Sequence, residues 1–303
     1  MHENVPPDTE TMCHMAIIRR LRWLVASHLL LAVVPTAVCL VPGDIRFLPL
    51  LWALSSVALG QMMLLSFWAG LGAGRAIWRF FSALMGCTYL AIWQSLGSML
   101  WDKVQGEAEA VTPTNPLTAF IDELLSAVVM NCAVLLLFAA MFLVVRRWFS
   151  ELRLVPDAGK TSSPGRVQYS ILNILVITAV VALLLGLTRS ARPATGTDWQ
   201  KVAAYALAFV AFLIDELCAV WAALGTGRIR WRVFLVFLVA SLLGLLLSIT
   251  AGHGALAWWL VPSWILVSLV PIAIVVTSLL VVRACGYRLV PKSSVATVNG
   301  GTR

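Results

Sequence analysis

Long apolar runs alternate with short polar ones along the whole chain, and the apolar runs are about twenty residues each. At ~1.5 Å per residue, a helical run of that length crosses a hydrocarbon core of roughly 30 Å. Eight such runs stand out: Leu21–Val41, Phe47–Ala69, Trp78–Trp101, Pro116–Val145, Val167–Leu187, Trp199–Leu224, Val233–Ala251 and Ala255–Val282. A bilayer core offers no water to backbone N–H and C=O groups, so each crossing is predicted to be a helix. The expected fold class is all-α, a polytopic membrane helical bundle of eight transmembrane helices. The polar intervals are too short to hold a soluble catalytic domain. Function must therefore sit in the bundle, in short loops or in a partner.

The pattern also repeats. WAGLGAGRAIWRFF, from Trp68 to Phe81, returns as WAALGTGRIRWRVF, from Trp221 to Phe234, with nine of the fourteen positions identical. Leu143–Pro156 (LVVRRWFSELRLVP) is echoed by Leu280–Pro291 (LVVRACGYRLVP), and RLRW at Arg20–Trp23 more weakly by RVQY at Arg166–Tyr169. Repetition at long period marks a copied structural unit. The expected architecture is two parallel four-helix repeats, 21–145 and 167–283, joined by a linker at 146–166 and flanked by tails at 1–20 and 284–303. Each half has an even number of spans, so it enters and leaves on one side, and the pseudo-two-fold axis runs along the membrane normal. The polar ends, Met1–Met15 and Lys292–Arg303, are expected to lack regular structure.

Charge orients the bundle. Hydrophobic residues make up 60% of the chain and charged ones 12%, against roughly 25% charged in soluble domains. With both termini cytoplasmic, 17 Lys and Arg fall on inside segments and 5 on outside ones. That asymmetry is the positive-inside rule, and it points to a bacterial inner membrane. The net charge of +8 follows this threading and is not gathered on one face, so it does not indicate nucleic acid. Most Trp residues fall at predicted span ends, as an interfacial belt requires. The first span has a basic flank like a signal peptide, but a polar stretch precedes it and no small-residue cleavage site follows. The six Cys show no paired spacing and read as small apolar residues.

The repeated motif reads as an interfacial anchor. Arg75, Trp78 and Arg79, with their counterparts Arg228, Trp231 and Arg232, would share one face of each helix start. The Arg side chains would reach lipid phosphates while Trp sits at headgroup depth. In the helix that follows, Ala240, Gly244 and Ser248 recur every fourth residue, matched by Cys87, Ala91 and Ser95 in the first half. Such a small-residue stripe lets helix backbones approach closely. The third and seventh spans are expected to meet through it.

The sharpest anomaly is FLIDELCAV, Phe212–Val220, which puts Asp215 and Glu216 inside the sixth span. An acidic residue at mid-membrane costs ~2.5–3.5 kcal/mol on insertion scales, so each must be protonated, paired or wet. The matching positions in the first half are Met62 and Met63, next to Gln61. His28, about as deep in the first span, is the expected partner. Asp122 and Glu123 repeat the tetrapeptide IDEL near a helix start at Asn115–Pro116, where negative charge is tolerated. Gln94, Asn131 and Asn173 read as interhelical hydrogen-bonding residues, and Pro35, Pro262 and Pro271 as ordinary membrane-helix prolines. No metal-ligand spacing, nucleophile motif or phosphate loop is present, and no cofactor is implied. The first functional reading is a non-catalytic membrane component or partner-binding scaffold, its partners being the lipid bilayer and a membrane protein or a second copy of itself. The alternative is a small-solute or proton-coupled transporter using Asp215 and Glu216. An intramembrane enzyme ranks last, because no catalytic constellation is visible. Reporter fusions placed after Arg75 and after Arg228 are expected to read the same, cytoplasmic, side. Opposite readings would refute the parallel repeat.

Overall fold

The computed structural model describes residues 9–38, 48–72, 75–105, 115–148, 150–154, 199–225, 228–251 and 261–291. In chain order they form α1 (Thr9–Leu31), α2 (Val34–Val38), α3 (Leu48–Leu71), α4 (Ala76–Gln105), α5 (Pro116–Trp148), β1 (Ser150–Leu154), α6 (Trp199–Leu224), α7 (Ile229–Ala251), α8 (Val261–Ala284) and β2 (Tyr287–Pro291). Among the described residues, five helices contain stretches long and apolar enough to cross a membrane: Ala76–Leu100, Leu117–Arg146, Leu207–Leu224, Ile229–Ser248 and Val261–Ala284. Ser56–Leu71 in α3 is a shorter apolar stretch. The predicted fifth span, Val167–Leu187, lies outside the described residues, as do Asn173 and the tail Lys292–Arg303.

Several boundaries differ from expectation for identifiable reasons. The first span is not one helix. It turns at Ala32–Val33 and resumes as α2, because Pro35 has no N–H to offer the preceding turn. Helix α1 also begins at Thr9, so part of the tail expected to be irregular is helical. At the other end of the first half, Asn115 caps α5 as its residue type suggests. Its Oδ1 accepts from the Leu117 N–H at 3.1 Å, and Pro116 follows as the first helical residue.

Helix α8 is the hub. It packs most extensively against α3 and also against α7 and α6, while α5 packs on α3 and α4. One apolar cluster joins Met63, Phe67 and Leu71 of α3 to Phe138 and Phe142 of α5, Ala219–Leu224 of α6, Val236 and Ala240 of α7, and Ile272, Val275 and Leu279 of α8. Edge-to-face ring pairs reinforce it, Phe67 on Phe142 at 5.7 Å and Phe138 on Phe209 at 5.1 Å. Lipid is as apolar as Leu, so backbone proximity rather than the hydrophobic effect holds such helices together. The α3–α8 seam shows it: a methyl built on Gly60 would stand 2.9 Å from Pro271 Cα and 3.1 Å from its carbonyl oxygen.

The small-residue stripes work differently from expectation. Cys87, Ala91, Ser95, Ala240, Gly244 and Ser248 are all buried, but α4 and α7 do not meet through them. A Cβ on Gly244 would lie 2.8 Å from Trp264 O and 2.9 Å from Ile265 Cα, both on α8. Cys87 faces Met62 of α3 at 3.6 Å between sulfurs, and its carbonyl receives Asn131 of α5 at 3.5 Å. Each stripe therefore seats its helix on neighbours in its own half of the sequence. The seam across the halves belongs to α3 and α8.

Two short strands add a ribbon to the helical bundle. β1 pairs antiparallel with β2, with Arg153 opposite Arg288, Leu152 opposite Leu289 and Leu154 opposite Tyr287. Gly286, at φ 90°, takes the left-handed conformation that turns the chain from α8 into β2. Replacing Gly244 by Leu should destabilise the fold by about 2 kcal/mol or more, because backbone, and not a movable side chain, blocks the new atoms. Thermal unfolding in detergent tests this, and an unchanged melting temperature would contradict the α7–α8 contact.

Candidate functional site: polar groups inside the bundle

The break after α1 leaves one carbonyl, Leu29 O, without its helical donor, and side chains gather around the break. Val33 N–H turns to Leu30 O at 3.1 Å, so Leu29 O loses its helical donor. The Tyr89 hydroxyl of α4 donates to Leu29 O at 2.8 Å. Gln61 Nε2 of α3 donates to His28 O at 2.8 Å. Just beyond the break, Thr36 Oγ1 donates to Trp93 O at 2.7 Å. The His28 side chain reaches α8, with Nε2 2.8 Å from Ser278 Oγ. Three helices, α1, α3 and α8, thus meet in one polar junction. Sequence reading named His28 and Gln61 as candidates but missed Ser278 and Tyr89. A lone Ser in an apolar run and a lone Tyr carried no pattern that singled them out.

Asp215 and Glu216 are placed apart from that junction's hydrogen bonds. Both are 0% exposed, and none of their four carboxyl oxygens has a hydrogen-bond partner among the described residues. The expected partnership with His28 is not made: the ring's Nε2 contacts Ser278, and no hydrogen bond joins the ring to either acid. The turns of α6 on either side of the acids, with Phe212, Leu213, Leu217, Ala219 and Val220, belong to the apolar core. Depth still relates the two groups. Arg283 near the end of α8 donates to Ala223 O and Gly225 O, and Arg20 donates to Ala284 O at 3.2 Å, so α1, α6 and α8 share one floor. Counted from it at ~1.5 Å per residue, Asp215 lies roughly 13 Å deep, His28 roughly 12 Å and Ser278 roughly 9 Å. All three fall within about one helical turn of the same level.

The repeated Gly–Arg motif forms the floor. Gly72 N–H bonds Trp68 O and Gly225 N–H bonds Trp221 O, each at 3.0 Å, closing α3 and α6 in the same way. Arg146 then donates to Gly72 O at 3.3 Å, and Arg283 to Gly225 O at 2.7 Å. A cation on the last carbonyls also complements the negative end of the helix dipole. Arg79 and Arg232 diverge. Arg79, expected at the lipid surface, is only 5% exposed and donates to Gly70 O and Gly72 O, at 3.3 and 2.6 Å. Arg232 lies over the Trp221 ring at 4.6 Å. Arg75, Trp78, Arg228 and Trp231 do face outward, Trp78 at 64% and Trp231 at 61% exposure. Each Trp rests on the Phe three residues on, Phe81 or Phe234. An open groove of about 550 Å³ runs past Arg228, Ile229, Arg230 and Trp231.

Other polar residues hold helices together. Asn131 Nδ2 donates to Gln94 Oε1 at 2.9 Å, joining α5 to α4, and Ser98 donates to Glu123 at 2.8 Å. Asp122 and Glu123 are exposed near the start of α5. Among the described residues no group of three His, Cys, Asp or Glu could hold a metal ion. No family model, no curated protein and no solved structure matches the chain.

Removing these caps should destabilise the bundle in graded steps. Tyr89→Phe leaves one carbonyl without its donor and should cost about 1 kcal/mol. Arg283→Met strips a charged donor from two carbonyls and should cost about 2–3 kcal/mol. Melting curves in detergent are expected to rank Arg283→Met below Tyr89→Phe, and both below the parent protein.

Proposed function

We propose that this integral membrane protein is a proton-linked carrier of small solutes, with Asp215 and Glu216 as its proton sites and without catalysis of its own. The carrying observation is that both carboxyl groups are fully buried and make no hydrogen bond among the described residues. An acid kept for structure is held by a polar contact, and the described residues give neither group one. Left unsatisfied in apolar surroundings, the pair costs several kcal/mol. That cost is tolerable where protons must be held and released. The broken first helix supports the same reading, since interrupted spans near mid-membrane are where carriers place their sites.

The reading includes the finer architecture: two parallel four-helix repeats in a bacterial inner membrane, both termini cytoplasmic. The ribbon supports it. Its register sets Arg153 opposite Arg288, which are equivalent in the RLVP echo. The pair Leu154–Tyr287 then maps onto Leu289–Leu152, as a two-fold axis through the ribbon requires. The matching contacts of Arg146 on Gly72 and Arg283 on Gly225 support it from the bundle.

A second reading, a scaffold for a membrane partner, is favoured by one observation: neither acid reaches a surface. Infrared difference spectra of the protein in lipid, taken between pH steps, separate the two. A carrier should show a protonated-carboxyl band that falls as pH rises and that is lost in Asp215→Asn or Glu216→Gln, with both variants melting close to the parent. A band that persists at every pH would mean sealed acids, and the scaffold reading would replace the carrier.

A further inference from the structure

The polar junction of α1, α3 and α8 has more hydrogen-bonding capacity than its protein contacts use. Ser278 Oγ donates to Ile274 O at 2.7 Å, so its single hydroxyl hydrogen is spent there. It therefore accepts from His28, and His28 Nε2 carries the ring proton. In the neutral ring Nδ1 is then an acceptor. That Nδ1 is buried and takes no donor among the described residues. Gln61 is 5% exposed, and with its Nε2 given to His28 O, its Oε1 also takes no donor among the described residues. The amide orientation is fixed, because only the nitrogen can serve a carbonyl. Two buried acceptors thus belong to residues already joined across the α1–α3 seam, through the bond from the Gln61 side chain to the His28 carbonyl.

We propose that His28 and Gln61 hold an internal water molecule, which donates to His28 Nδ1 and to Gln61 Oε1. Water is the smallest species that offers two hydrogens, and buried waters of this kind bridge two to four polar groups. An ammonium-type cation offers the same hydrogens. Neither His28 nor Gln61 bonds a carboxylate, however, so the cation's charge would be uncompensated in an apolar interior. The water ties the broken end of α1 to α3 and makes His28 Nδ1 the proton-accepting atom of the junction. This site goes beyond the carrier reading and stands whether or not Asp215 and Glu216 move protons.

The test uses the full chain in lipid nanodiscs with ¹⁵N-labelled histidine and with His2, His14 and His253 replaced by Gln, leaving His28 as the one ring observed. The expected spectrum shows the proton on Nε2, Nδ1 as a hydrogen-bonded acceptor, and a cross-peak from the ring to water. Gln61→Met should abolish the water cross-peak and leave Nε2 protonated. A proton on Nδ1, a cross-peak unchanged in Gln61→Met, or a shift produced by ammonium chloride but not by sodium chloride would each overturn the assignment.

Discussion

Every backbone carbonyl in a bilayer core must find a donor within the protein, and this one requirement arranges the molecule. Unbroken helices meet it internally, so the interest lies at their ends and breaks. There the chain spends its scarce polar side chains. Arg79, Arg146 and Arg283 go to the ends of α3 and α6, and Tyr89 and Gln61 go to the end of α1. These contacts also decide which helices are neighbours. Arg283 fixes the end of α8 level with that of α6, and Arg20 fixes α1 to the same level. The candidate site lies one layer above this floor because the floor is level.

The same requirement explains what the sequence disclosed. Apolar length is a one-dimensional property, so apolar helices were legible, and the sixth expected span ends at Leu224 as its sequence indicates. Gly72 and Gly225 were legible as helix terminators because the residue type carries the reason. Partners were not. Arg79 and Arg232 stand at matching positions of the recurring motif, yet one turns inward onto carbonyls and the other lies on Trp221. The difference comes from which other arginine already serves the carbonyl. Arg283 approaches Gly225 O to 2.7 Å, while Arg146 stays 3.3 Å from Gly72 O and leaves room for Arg79. No local pattern encodes that competition. Likewise a small-residue stripe announces a close helix contact without naming the helix, which is why α7 was matched with α4 when it seats on α8.

The two halves share their rims and differ at their centres. At the rims the Gly–Arg closure is written twice, because α3 and α6 face the same problem of ending a helix at the membrane boundary. At mid-depth the first half has Met62 and Met63 where the second has Asp215 and Glu216, and the first has Gln61 joined to His28. Membrane packing alone would favour keeping methionine at such positions, since it fills space without a desolvation cost. Two acids at this depth, with no hydrogen bond to offset them among the described residues, mark the place where the two similar stretches of sequence part most sharply. The rims thus define the frame, and the unmatched polar centre is the part of the molecule that the frame leaves unexplained by packing.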